Sequence, residues 1–129
     1  MIYYEKGGPQ ENLTDKDLKE GFYAAMDKLG PRRRVLAVPP DITRVYSRAG
    51  LMTEFAFAYF GEQLTDVLPA LGTHAAMTGQ EIGKMFPSVP RSLFREHDWR
   101  NDVVTLGEVP ASFVEKVSEG RVTYPIPVQ

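Results

Sequence analysis

The stretch from Val35 to His74 constrains this chain more than any other. Val35-Leu36-Ala37-Val38 is a continuous apolar run, the pattern of an inner parallel strand covered on both faces. Pro39-Pro40 ends it, because neither proline can donate to a ladder. A polar turn follows, Asp41-Ile42-Thr43-Arg44. The spacing then predicts a helix from about Ser47 to Gln63, with Leu51, Phe55, Ala58, Tyr59 and Phe60 as its apolar face. A second strand is expected over Asp66 to Leu71, containing Pro69, and it runs into Gly72-Thr73-His74. Open α/β sheets bind ligands outside the carboxyl ends of their strands. Asp41, Thr43, Arg44, Thr73 and His74 are therefore expected on one rim.

The flanking segments continue the alternation. Met1 to Tyr4 is a short apolar run, read as an edge strand and ended by Gly7-Gly8-Pro9. Thr14 or Asp15 is placed to cap a helix reaching about Leu29, with Leu18, Phe22, Ala25, Met26 and Leu29 as its buried stripe. Gly30-Pro31 stops it. Thr78 and Glu81 have capping-box spacing, so a short helix is expected from Gly79 to about Phe86, closed by Pro87. Val103 to Val109 reads as a strand interrupted by Gly107. Pro110 suits the first turn of a helix over Ala111 to Ser118. Val122 to Gln129 is extended and apolar, as expected of a chain that continues. Strands alternating with helices give an α/β class: a mostly parallel sheet with helices on both faces, a Rossmann-like three-layer sandwich. Residues 1–129 read as one domain.

Composition narrows the chemistry. A net charge of −2 over 129 residues supplies no basic stripe for nucleic acid. The chain has no Cys, which excludes disulfides, thiolate metal sites and a Cys nucleophile. No apolar run approaches the roughly 20 residues of a membrane span. The amino terminus lacks the pattern of a signal peptide, so a cytoplasmic location is expected. No Gly-rich loop of the Walker or dinucleotide type is present. Imidazole chemistry must come from His74 or His97, the two histidines.

Three clusters carry the candidate chemistry. Asp41-x-Thr43-Arg44 places an acid, a hydroxyl and a guanidinium in one turn, and the guanidinium fork suits carboxylate or phosphate. The same residues also fit an Asx-type turn with Asp41 as cap and Arg44 in solvent. His74 sits just past a strand end, where it can exchange a proton near neutrality. A loop histidine bonded to a backbone carbonyl is the alternative. His97-Asp98-Trp99 either orients a ligand or forms a packed turn. Arg32-Arg33-Arg34 reads as a solvated lead-in to a strand.

Taken together, PPDITR at 39–44, ALGTH with MT at 70–78 and HDW at 97–99 resemble the N-terminal domain of the lactate racemase family, the nickel-pincer nucleotide enzymes. The resemblance covers most of the chain from Val35 onward. It implies that Asp41, Ile42, Thr43 and Arg44 contact the cofactor or substrate, and that His74 is one of two acid/base residues. It further implies a racemase or epimerase of 2-hydroxy acids, in which hydrogen leaves one face of a carbon and returns to the other. The family usually carries Arg-Pro after this histidine, where Ala75-Ala76 stand here. Its second histidine, its cofactor-anchoring lysine and its nickel ligand lie in later sequence, so this chain alone is expected to be inactive. The expected partners are a small 2-hydroxy acid and a C-terminal domain, with no nucleic acid or membrane. A second reading is a non-catalytic module that holds a phosphate-bearing small molecule through Arg44. A third is a scaffold that has lost catalysis.

Overall fold

The first helix begins where its cap dictates. The Thr14 hydroxyl accepts the Asp17 N–H, and the Asp17 carboxylate accepts the Thr14 N–H at 2.8 Å, a reciprocal capping box. Helix α1 (Asp15–Leu29) ends at Gly30, whose φ of +75° favours glycine. The computed structural model describes every residue from Met1 to Gln129. Strand β1 (Val35–Ala37) follows, then a 3-10 segment (Ile42–Ser47), helix α2 (Ala49–Phe60), strand β2 (Leu64–Val67) and helix α3 (Gly79–Met85). Helix α3 repeats the capping box at Thr78 and Glu81. Strand β3 (Gly107–Val109), helix α4 (Ala111–Val117) and strand β4 (Ile126–Val128) complete the chain. No helix is long and apolar enough to cross a membrane.

Contacts divide the chain into two compact units, Met1–His97 and Asp98–Gln129, where the sequence reads as one domain. In the first unit β1 and β2 pair in parallel, joined through α2 as a βαβ crossover. The pairing outlasts the regular strands. Leu68 N–H donates to Ala37 O and Ala70 N–H to Pro39 O, both at 2.8 Å. Pro39 therefore accepts in the ladder even though it cannot donate. Pro69 is tolerated for a related reason. Leu68 and Ala70 point their amides at β1, and Pro69 lies between them on the side where no β1 bond is needed. Val67 bridges Phe94 on β2's far side, and Arg95 N–H donates to Val67 O. The second unit pairs β3 with β4 antiparallel, Gly107 opposite Val128.

The core of the first unit is Leu64, Val67, Met85, Phe86 and Val89, flanked by Val35, Ala37, Phe57, Phe60 and Phe94. Val35 and Ala37 face it. Leu36 and Val38, alternating with them, are 54% and 57% exposed. The apolar run of β1 is thus half solvent-facing, and the expected helices on both faces give way to a small sheet packed on one. Strand alternation decides this, and an unbroken apolar run conceals it.

Two further expectations shift. The second strand begins at Leu64 instead of Asp66 and ends as a regular strand at Val67. Helix α2 buries Gly50, Thr53 and Ala56, while Ala58, assigned to the apolar face, is exposed. The helix is apolar nearly all round, so spacing alone could not orient it. Gly50 marks the true face, since a Cβ there would meet the Met85 carbonyl. Met1–Tyr4 forms no strand, and Val103–Leu106 stays outside β3.

Candidate active site at the sheet rim

The site lies where β1 and β2 stop. The bridge between Pro40 and Ala70 is the last pairing before both chains turn away. After Pro40, Asp41 caps the 3-10 segment: its Oδ1 accepts the Thr43 N–H at 3.0 Å and the Thr43 hydroxyl at 2.5 Å. After Ala70, a tight turn closes with His74 N–H donating to Leu71 O at 3.0 Å. Gly72 adopts φ +58° in that turn, a conformation that strains residues carrying a Cβ. The turn brings the imidazole back onto the neighbouring strand end. His74 Nδ1 lies 2.5 Å from Asp41 Oδ2, across 33 residues of sequence.

Burial is unequal within this pair. The Asp41 side chain is 6% exposed and that of His74 is 57% exposed. The carboxylate is therefore an inner support, and the ring reaches solvent. Thr43's hydroxyl, foremost, then His74 and the Thr43 amide hold the Asp41 carboxyl below its ordinary range, against the opposing effect of burial. Both Asp41 oxygens are occupied.

The expected site residues fall into distinct places. Asp41, Thr43 and His74 form one hydrogen-bonded cluster. Arg44 lies three residues beyond Asp41 on the same rim, its amide bonded to Asp41 O, its side chain exposed and in no ion pair. Ile42 is partly buried and packs against the core cluster. The Asx-turn reading of Asp41 and the shared-rim reading are both realised, by the two oxygens of one carboxylate. The Asp41–His74 bond itself is not foreseeable from the motifs. The one available signal is that both residues lie in the turns that follow adjacent strands.

Asp98 accepts the Arg100 and Asn101 amides at 3.1 Å each and the Asn101 side chain at 2.7 Å, the packed-turn reading. Arg100 stacks 4.2 Å from the Trp99 ring centre. His97 Nδ1 is buried with no hydrogen-bond partner. Arg32 bonds to the carbonyl of Pro31 at 3.0 Å, and Arg32, Arg33 and Arg34 are all exposed, as a solvated lead-in requires. A cleft of about 160 Å³ lined by Leu71, Met77, Ile82 and Arg91 flanks the histidine turn but does not enclose it.

Fold and rim together define an α/β protein with a small parallel sheet and an Asp–His pair at its carboxyl edge. No family model matches the chain, and no curated protein matches it. Among solved structures it is similar to a Thermotoga maritima protein determined as a structural genomics target, at 30% identity and a TM-score of 0.77. The match covers 96% of this chain and 30% of that one, so this chain spans less than a third of its neighbour's length.

Proposed function

We propose that this chain is the N-terminal domain of a lactate-racemase-like racemase or epimerase of 2-hydroxy acids, inactive by itself. The observation that carries the reading is the imidazole held by a buried carboxylate on the same rim as an exposed, unpaired guanidinium. A 2-hydroxy acid needs both functions. Its carboxylate needs a positioned cation, and Arg44 offers a planar fork. Its hydroxyl proton needs a base near neutrality, and His74 offers a solvent-facing ring nitrogen. Fixing the carboxylate relative to the base lowers the barrier by positioning alone.

The nickel-pincer nucleotide, when bound, supplies two-electron redox chemistry at the substrate carbon. The chain has no group of three or more His, Cys, Asp or Glu able to hold a metal. Arg44 is the residue here that would face the cofactor's phosphate or the substrate. The bare face carrying Leu36 and Val38 is where a second helical layer would complete a Rossmann-like sandwich in a longer protein.

Activity of the longer natural gene product, loaded with cofactor, tests this reading. His74→Ala should lower racemisation of lactate or a related 2-hydroxy acid by about 100-fold or more, the scale of one acid–base group. Arg44→Ala should mainly raise KM. Unchanged turnover in His74→Ala would remove the catalytic assignment. The alternative module, holding a phosphate-bearing small molecule, is favoured by the unpaired Arg44. It expects phosphate-ester binding to vanish in Arg44→Ala and persist in His74→Ala.

A further inference from the structure

The sequence groups Asp41 with Thr43 and Arg44 as ligand contacts. The geometry separates them. Asp41 has no free oxygen: Thr43 occupies Oδ1 through two bonds, and His74 Nδ1 sits against Oδ2 at 2.5 Å. The carboxyl is also buried, with 6% of its side chain exposed. A ligand would have to displace an internal bond and enter a closed space to reach it.

We propose that Asp41 is a positioning residue that fixes the tautomer of His74, leaving Nε2 as the proton acceptor toward solvent. A carboxylate that is ionised can only accept hydrogen bonds. In the neutral ring the nitrogen facing it must then carry the proton, so that form has Nδ1 as N–H and the lone pair on Nε2. Thr43 sharpens the effect from the other side. Its amide and hydroxyl both donate to Oδ1, which keeps the carboxylate charged and prevents it from turning. The Asp-x-Thr-Arg turn thus divides its labour. Asp41 and Thr43 work inward on the imidazole, and Arg44 alone is left to meet a ligand. The assignment deepens the proposed function, since it names the atom of His74 that takes the substrate proton. It does not depend on that function, because a tautomer exists without substrate.

Long-range proton–nitrogen NMR of the 15N-labelled chain, in the absence of any ligand, decides it. The spectrum, followed upward in pH until the ring is neutral, is expected to show His74 protonated at Nδ1 and pyridine-like at Nε2. Asp41→Asn should shift His74 toward a mixture of both tautomers while circular dichroism stays that of the folded protein. Thr43→Val should retain the Nδ1–H form in the majority, since the Oδ2 bond survives. A wild-type His74 protonated at Nε2, or one already mixed, would overturn the proposal. So would an Asp41→Asn spectrum unchanged from wild type in a folded protein. Should Asp41→Asn fail to fold, the tautomer of the wild-type chain is by itself decisive. In the longer protein Asp41→Asn should lower kcat with little change in KM, unlike Arg44→Ala. Loss of activity there without a tautomer change would count against positioning and leave the function itself standing.

Discussion

At the scale of single residues, close approach and hydrogen-bond capacity decide what each position tolerates. Gly50 in the first turn of α2 is the sharpest case of close approach. Alanine is ordinarily the better helix former by about 0.5–1 kcal/mol. Here its methyl would press on the Met85 carbonyl, backbone that cannot swing aside. Overpacking of that kind costs about 1–3 kcal/mol, so the clash outweighs the propensity gain. Gly50→Ala is expected to destabilise the chain, measured as a lowered urea midpoint at constant slope; a raised midpoint would show that α2 and α3 separate freely. Hydrogen-bond capacity governs Asp41. A carboxylate offers two oxygens and the fold uses both, one for Thr43 and one for His74.

At the scale of elements, caps and ladders account for what the sequence could announce. Thr14 with Asp17 and Thr78 with Glu81 are local signals, complete within four residues, and both helices begin where these signals place them. Thr14→Ala should cost about 1 kcal/mol, read from the shift in thermal unfolding. Strand ends are less legible. Pairing continues through Pro39 and Ala70 although regular strand geometry stops at Ala37 and Val67, and only the neighbouring strand reveals it. The orientation of α2 is hidden because almost every position is apolar, and the bare face of β1 because Leu36 and Val38 resemble their buried neighbours. The rim is legible from strand order alone, whereas the Asp41–His74 bond depends on a turn at Gly72 that brings the ring back. The ladder makes a direct prediction. Ala37 and Pro39 direct their backbone groups at β2, so those of Leu36 and Val38 point to the open edge. In hydrogen exchange the Ala37 amide should be protected and the Leu36 and Val38 amides fast; equal protection would mean that another strand occupies the edge.

At the scale of the whole molecule, several carboxylates stabilise the fold through their ionised forms. Asp41 is held low chiefly by Thr43, Asp66 by Thr65 and then Arg95, and Asp98 by Asn101. Each folded value lies below the ordinary 3.8. The stabilisation is therefore complete above that value and is lost as pH falls through the folded values. Thermal unfolding followed from neutral pH into acid should show a steady fall in midpoint beginning at about pH 4–5. Asp41→Asn should make that fall shallower, and an identical slope would mean that the carboxylate is as easily protonated folded as unfolded. The βαβ crossover has a consequence for the order in which the molecule assembles. Asp41 and His74 are separated by the whole of α2 and meet only after β1 and β2 have closed side by side. Contacts across so long a loop form only after its closure entropy has been offset by packing. The helices have caps of their own within four residues, whereas the Asp41–His74 bond needs the sheet closed, and a chain arrested before that closure would contain both residues and not the bond between them.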